Sequence, residues 1–165
     1  MDKVDHILSQ WHRERPDLDV GPMGTLGRLK RLSDHVSQEL ARVYKAHDLT
    51  AAGFDVLATL RRAGSPYAMT PSSLIESTMV TSGTMTNRLD RLEENDLIER
   101  RSSPEDRRSS VVALTKQGFD LIDRVVTEHV ANQKRLLESL PVSVRERLDD
   151  DLRVWLAEFE SEEDS

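Results

Sequence analysis

The sequence predicts a mainly helical chain in which a short two-stranded ribbon lies between long helices. Apolar residues recur at spacings of three and four over long stretches at both ends, which is the period of an amphipathic helix. Thr70 followed by Pro71 marks a helix start in the middle of the chain, because proline at the first helical position loses no hydrogen bond. Residues 109–114, in contrast, include adjacent valines and show no helical period, which favours a strand.

The composition predicts one domain, 1–165, with a core built from leucine and valine. Hydrophobic residues make up 37% of the chain and aromatic residues only 4%. The sequence has no apolar run of about 18 residues and no charged leader followed by an apolar stretch, so we expect a cytoplasmic protein without a membrane partner. Because cysteine is absent, disulfides, thiolate metal sites and thiol redox sensing are excluded.

The formal net charge of −7 at first argues against a nucleic-acid partner, because neutralising phosphates normally requires a basic surface. Residues 141–165, however, contain three arginines, no lysine and nine acids, so this tail alone contributes −6. The rest of the chain is close to neutral. Arginines and acids alternate from 88 to 108, so the charge neither predicts nor excludes DNA binding.

Two helices are predicted before the central region. The first is short and carries one apolar stripe of four residues: Val4, Ile7, Leu8 and Trp11. A helix this short needs a surface to pack on, either its own chain or a partner subunit. Trp11 is then either a simple surface anchor or a functional group. The second helix is predicted over 23–46, where the apolar residues trace one continuous face.

A third helix begins after Thr50, which is a good N-cap, and stops at Gly64. Asp55 lies beside the apolar face of this helix, where a charge is expensive to bury. The aspartate is therefore either exposed or held by an arginine.

A helix-turn-helix is predicted next. The helix that starts at Thr70 is followed by a break, after which Thr81 or Ser82 can cap a second helix. That helix has an apolar stripe for docking: Met85, Leu89 and Leu92. Its opposite, N-terminal face is rich in groups that bind base edges or phosphates, as in a helix that enters the major groove: Ser82, Thr84, Thr86, Asn87, Arg88 and Arg91.

A hairpin follows, and a helix-turn-helix with such a hairpin is a winged helix. Its strands are predicted at 97–101 and 109–114, while 67–69 can form at most a short strand. The intervening turn carries Arg107 and Arg108, which suit the narrow, electronegative minor groove. We therefore predict DNA contacts for one set of residues: Ser82, Thr84, Thr86, Asn87, Arg91, Arg107 and Arg108.

The last two helices are predicted after Thr115 and after Pro141. Their apolar stripes are too wide for the winged lobe to bury, which favours a symmetric homodimer whose terminal helices interlock. We expect dimerisation helices over 2–48 and 115–163 and a DNA-binding lobe over 50–114. Two reading helices would match a palindromic operator with half-sites about 34–36 Å apart.

The central motifs resemble the MarR family of winged-helix transcriptional regulators. The resemblance is carried by Thr-Asn-Arg-Leu-Asp-Arg-Leu-Glu (86–93), Leu-Ile-Glu-Arg-Arg (97–101) and Ala-Leu-Thr-Lys-Gln-Gly (113–118). It is also carried by a wing motif with Asp106 and Arg108. It implies a helical homodimer with one DNA-binding lobe in each subunit, usually a repressor that a small ligand releases.

Two further segments, 9–19 and 54–64, resemble the urate-responsive branch of that family and its relatives that sense trans-aconitate. The resemblance implies an effector site made of Trp11, Asp55, Arg88 and Arg100. Trp11 would stack on a planar anion, and the anion would compete with Asp55 for the arginines. Because Arg88 lies on the reading helix, ligand binding would re-aim that helix and lower DNA affinity.

Enzymatic activity is not expected. The histidines show no metal-ligand spacing, no nucleophile and base are paired, and no glycine-rich phosphate loop follows a strand, so no metal or cofactor is predicted. Two alternatives stay open: a winged helix used for protein contact, and a regulator of the same family without a ligand in this pocket.

Overall fold

The computed structural model describes residues 1–78, 85–102 and 110–163. The chain is mainly helical, as predicted. The helices are α1 Lys3–Glu14, α2 Gly21–Lys45, α3 Ala51–Arg62, α4 Pro71–Ser77, α5 Met85–Glu94, α6 Lys116–Leu137 and α7 Val142–Glu163. The strands are β1 Ala68–Met69, β2 Ile98–Ser102 and β3 Ser110–Leu114. Within these residues, no helix is long and apolar enough to cross a membrane.

The helices α3, α4 and α6 begin where threonine caps were predicted. Thr50, Thr70 and Thr115 each accept a hydrogen bond from the backbone N–H three residues later, at 3.0, 3.2 and 3.0 Å. Each cap satisfies one backbone donor that the first helical turn leaves open. The predicted cap at Thr81 or Ser82 lies outside the described residues.

The sheet is larger than the predicted two-stranded ribbon. Its order is β1-β3-β2, with both neighbouring pairs antiparallel. The short segment β1 joins the outer edge of β3, where Ala68 lies opposite Ala113, and the N–H of Leu114 donates to the carbonyl of Tyr67 at 3.0 Å. Strand β1 therefore pairs with backbone groups on the edge of β3 that a two-stranded hairpin would expose to water.

The core forms around α3, which contacts α2, α4, α5, α6 and β3. Its largest fully buried side chains come from α3, α4, β2 and α6: Leu57, Leu60, Leu74, Ile98 and Ile122. The predicted docking stripe of α5 is confirmed, because Met85, Leu89 and Leu92 are all buried. Helix α5 is thus seated on the core through this apolar stripe.

The short first helix packs on its own chain. Val4 is buried against α2 at Gly27, and the Arg28 guanidinium donates to Asp2 at 2.8 Å and also to Asp5. The Arg28 hydrogen bond lowers the pKa of Asp2. Packing and ion pairing together hold α1 on α2, as a helix of 12 residues requires.

The long helices keep large apolar side chains exposed. These side chains lie on α1, α2, α6 and α7, and they include Ile7, Leu26, Leu32, Val36, Val130, Leu148, Leu152, Trp155 and Phe159. Isolated exposed apolar residues are ordinary, but helical stripes of them are typical of surfaces that bind another molecule.

The first turn of α6 lies directly on the backbone that follows α5. A Cβ atom placed on Gly118 would lie 1.8 Å from the carbonyl oxygen of Leu97. The Thr115 hydroxyl donates to the Asp96 carbonyl at 2.5 Å, and the Thr115 N–H donates to the Leu97 carbonyl at 3.2 Å. Glycine at 118 is therefore required by close approach rather than by backbone conformation.

Replacing Gly118 tests this contact. Gly118→Ala should lower the free energy of unfolding by about 1–3 kcal/mol, because the added methyl group forces α6 away from Leu97. Gly53→Ala is the matched control, since it follows a threonine cap at the same spacing but leaves 3.4 Å to the nearest atom. This control should be neutral or up to about 1 kcal/mol more stable, as alanine favours helix. Chemical denaturation measures the free energy of unfolding of both variants. Equal values would contradict the close contact between Gly118 and Leu97.

Candidate functional site

The reading helix α5 presents part of the predicted DNA-binding set to solvent. Thr86, Asn87 and Arg91 are exposed, on the side opposite the buried stripe. Ser82 and Thr84 belong to 79–84, and Arg107 and Arg108 to 103–109, all outside the described residues. The described part of α5 therefore offers a hydroxyl, an amide and a guanidinium on one accessible face, which are groups that bind bases and phosphates.

The end of α5 is set by a tight turn into β2. Asp96 adopts a left-handed backbone conformation with φ 55°, and the Leu97 N–H donates to the Leu92 carbonyl at 2.9 Å. The side-chain amide of Asn95 donates to the Arg91 carbonyl at 2.6 Å. These bonds satisfy carbonyls at the helix end and place the strand immediately after the helix.

Two acids of α5 hold the guanidinium of Arg100, and we call these three residues the Arg100 clamp. Asp90 Oδ1 accepts from Arg100 Nη2 at 2.6 Å. Glu93 accepts from Arg100 Nη1 through one oxygen and from the Arg100 backbone N–H at 3.1 Å through the other. The hydrogen bond to Asp90, followed by the charge of Glu93, raises the pKa of the Arg100 guanidinium.

The Arg100 clamp is partly exposed, so it adds little to the stability of the fold. Its main effect is on the orientation of α5 relative to β2. The Arg100 side chain is 34% exposed, and each exposed ion pair of this kind contributes about 0–1 kcal/mol to stability. Asp90 and Glu93 are one helical turn apart and lie on the same face of α5. One β2 side chain thereby links the wing to two points on the reading helix.

Arg88 lines a groove of about 690 Å³, which we call the Arg88 groove. Its lining comes from the α2–α3 connection, the first turn of α3, α5, the α5–β2 connection and the first turns of α6, and includes His47, Asp48, Thr50, Asn87, Arg91 and Gln117. The Nη1 atom of Arg88 is buried and has no hydrogen-bond partner among the described residues. A buried charged donor without an acceptor is costly, so an anionic oxygen at this position would be favourable.

The first turn of α3 adds to the positive potential of this groove. Thr50, Ala52 and Gly53 line it at the N-terminal end of the helix, where the backbone dipole favours negative charge. Two arginines of α5 and one helix end therefore face the same space, opposed there by Asp48.

Of the four residues of the predicted effector site, Arg88 alone is among the residues that line the Arg88 groove. Trp11 is 41% exposed on α1, and neither Trp11, Asp55 nor Arg100 is among the lining residues of the Arg88 groove. Asp55 is half-buried on α3, where its charge acts on Tyr44: burial first, and then Asp55, raises the pKa of the Tyr44 phenol.

Tyr44 belongs to an aromatic cluster that the sequence patterns did not predict. Tyr44 stacks on Phe54 with ring centroids 4.3 Å apart, and its hydroxyl is 3.0 Å from Nδ1 of His129. Burial lowers the pKa of His129. Next to this cluster, His47 Nε2 lies 2.8 Å from Glu128 Oε2. These contacts join α6 to α2 and to the α2–α3 connection, next to the Arg88 groove.

The sequence patterns also did not predict the pairing of Asp90 and Glu93 with Arg100. Their spacing of three was visible in the sequence and places both on one helix face. Their common partner on β2 was not visible, since no sequence period relates a helix position to a strand position.

Comparisons with known proteins agree on the architecture. The model of the MarR family matches residues 49–110. The HTH-type transcriptional regulator PecS of Dickeya dadantii (strain 3937) is 46% identical over 145 residues, which are 88% of this chain and 86% of PecS.

Two solved structures align over most of the chain. A mutant of MarR from E. coli, complexed with operator DNA, has a TM-score of 0.68 and 27% identity, over 88% of this chain and 97% of that one. BpsR of Bordetella bronchiseptica, whose DNA binding is regulated by 6-hydroxynicotinic acid, has a TM-score of 0.69 and 25% identity, over 84% of this chain and 95% of BpsR.

The half-buried His129 predicts a pH dependence of stability. Because its pKa is lowered in the folded chain, the unfolded chain binds a proton more readily below about pH 6.5. The free energy of unfolding should therefore fall as the pH drops below that value, by at most about 1.4 kcal/mol per pH unit for one proton. Denaturation of the wild type and of His129→Gln between about pH 7.5 and 5.5 measures this contribution.

The free energy of unfolding of His129→Gln should depend less steeply on pH than that of the wild type. His35→Gln, at an exposed position of α2, is the control and should keep the wild-type slope. Identical slopes for His129→Gln and the wild type would show that His129 does not titrate with unfolding.

Proposed function

This chain belongs to the MarR family of winged-helix, DNA-binding transcriptional regulators, and from that premise we propose that it is a homodimeric repressor of a palindromic operator, released by a small anion. The observation that carries the proposal is the division of α5 into a buried stripe and an exposed face with Thr86, Asn87 and Arg91. A helix divided in this way can be seated on the protein and inserted into the major groove at once. A mutant of the related MarR from E. coli has been solved in complex with operator DNA, which supports DNA binding by this chain.

The exposed apolar stripes support the homodimer. They run along α1, α2, α6 and α7, outside the winged lobe, so a second copy can cover them without blocking α5. A symmetric dimer would present two copies of α5 to half-sites about one helical turn of DNA apart, about 34–36 Å. A palindromic operator is the matching DNA symmetry.

The effector proposal assigns Trp11, Asp55, Arg88 and Arg100 to a small anion of the urate, purine or tricarboxylate kind. The Arg88 groove supports it, because Nη1 of Arg88 is buried without an acceptor among the described residues. An anion bound there would sit against the helix that reads DNA and could re-aim it. BpsR, regulated by 6-hydroxynicotinic acid, is a relative in fold whose effector is also a small planar acid.

DNA binding is tested with arginine variants and salt. Arg91→Ala and Arg108→Ala should each weaken binding to the DNA beside the protein's own gene by about tenfold and reduce the salt slope by about one. Arg42→Ala is the control, because Arg42 is exposed on α2 and paired with Glu39. Mobility shifts over a salt series, with thermal denaturation of each variant, measure the effect.

Salt also separates DNA binding from the alternative of a protein-interaction module. Binding through arginines weakens steeply as salt rises, whereas an apolar protein contact does not. Unchanged DNA affinity in Arg108→Ala would contradict the assignment of the wing.

Effector binding is tested by titrating the protein–DNA complex with urate, xanthine, citrate and trans-aconitate. At least one should release the DNA, and Arg88→Ala should weaken binding of that anion to the free protein by about tenfold or more, since a charge-assisted hydrogen bond is lost. Asp55→Asn should alter the ligand response while sparing the fold, and Arg42→Ala should behave as wild type. Release by none of the four would leave a DNA-binding regulator without this effector site.

A further inference from the structure

We propose that Arg61 is a positioning residue for DNA binding: together with Tyr67, Phe119 and Asp123 it fixes strand β1, and through β1 it sets the direction of the wing. We call these four residues the Arg61 cluster. The inference rests on the proposed function, because there the wing contacts DNA. It assigns to a residue of α3 an effect on DNA affinity that passes through the sheet and needs no contact with DNA.

The Arg61 guanidinium lies against two aromatic rings and one carboxylate. Its central carbon is 5.4 Å from the centroid of the Tyr67 ring and 4.6 Å from that of the Phe119 ring, and the two centroids are 4.9 Å apart. Its Nε and Nη2 atoms both donate to Oδ1 of Asp123, at 3.1 and 2.9 Å. A planar guanidinium can stack on rings while its edge donates to a carboxylate. Arginine at this position therefore joins the end of α3 to α6 and to the residue before β1.

Tyr67 has an uncommon backbone conformation. Its φ is 57°, in the left-handed region that a residue with a large side chain seldom adopts. Such a conformation persists where surrounding contacts fix it. The Tyr67 ring lies in the Arg61 cluster, and its N–H donates to the Gly64 carbonyl at 2.6 Å. Its carbonyl accepts from the N–H of Leu114 on β3 at 3.0 Å, so the conformation of Tyr67 sets where the chain meets the sheet.

Strand β1 fixes one edge of the wing. It pairs with β3, where Met69 lies opposite Val112, and β3 pairs with β2 on its other side. Strands β2 and β3 lead to 103–109, the segment with Arg107 and Arg108. The Arg100 clamp ties β2 to α5, whereas the Arg61 cluster ties β1 to α3 and α6. Loss of the cluster would therefore free one edge of the wing and leave the other edge attached.

The core holds the sheet even without the Arg61 cluster. Val112 and Ala113 of β3 are fully buried. The side chains of Arg61 and Asp123 are in contrast 36% and 57% exposed, and such an ion pair adds little to stability. Removing the Arg61 guanidinium should therefore change the direction of the wing more than the stability of the fold.

The first test deletes one negative charge at two exposed positions of α6. Charge alone should tighten DNA binding, or leave it unchanged, in both Asp123→Asn and the control Asp120→Asn. Asp123 orients Arg61, whereas Asp120 pairs with Lys116. The proposal therefore expects Asp123→Asn to lower affinity for the DNA beside the protein's own gene by about threefold, and Asp120→Asn to lower it not at all. Mobility shifts measure both, and unchanged or tighter binding in Asp123→Asn would overturn the inference.

Double-mutant cycles test whether the effect passes through the wing. Arg61→Met should weaken DNA binding about fivefold. In that background Arg108→Ala should cost about twofold at most instead of about tenfold, because a redirected wing no longer places Arg108 on the DNA. Arg91→Ala should keep its full cost of about tenfold, since Arg91 lies on α5 and outside the Arg61 cluster. A general weakening of the fold would reduce both costs alike.

The outcomes separate this inference from the proposed function. Wild-type affinity in Arg61→Met, a full cost of Arg108→Ala in that background, or an equal loss of both costs would each overturn the inference while the wing still contacts DNA. If Arg108→Ala has no effect in the otherwise wild-type chain, the wing contact of the proposed function is wrong, and the inference falls with it. Thermal denaturation checks the fold of every variant, and Asp123→Asn replaces Arg61→Met in both cycles if the latter is unfolded.

Discussion

The rest of the molecule depends on the contact between the first turn of α6 and the backbone of Leu97. At this point three elements meet, because Leu97 follows α5, precedes β2 and lies under Gly118 of α6. Thr115 completes the junction by bonding to Asp96 and Leu97 while it caps α6. The reading helix, the wing and the long helix that carries an exposed apolar stripe are therefore fixed relative to one another at one small site.

The charge of the chain takes on a different meaning in this arrangement. A net charge of −7 is unusual for a protein that binds phosphates, yet three acids on or near α5 are engaged within the chain. Asp90 and Glu93 are held by Arg100, and Glu99 is held by Arg101. Paired acids repel DNA less than free ones do. The exposed Arg91 still has the exposed Glu94 one helical turn away, while much of the remaining negative charge lies far along the sequence in α7.

Sequence patterns predicted the features that depend on neighbours along the chain. The threonine caps, the buried stripe of α5 and the helical ends of the molecule follow from spacings of three and four, so they could be predicted and are confirmed. Contacts between distant positions could not be predicted in this way. Tyr44 meets His129, and Asp90 meets Arg100, through packing that no period encodes. The third strand was foreseen only as a short segment, because its partner β3 lies more than 40 residues away. The assignments at 79–84 and 103–109, and the four-residue effector site, stay predictions.

Because α6 packs against Leu97 at its first turn, a small change in tilt at that contact produces a larger displacement at the other end of the helix. Its 22 residues extend about 33 Å from the junction, so a tilt of about 5° at Gly118 would displace the far end by about 3 Å. That far end carries the exposed Val130 and Leu137. A movement at the reading helix too small to disturb the local core would arrive there as a shift comparable to half a helical turn. Conversely, a molecule bound at the distal end of α6 would limit the change in orientation of α5.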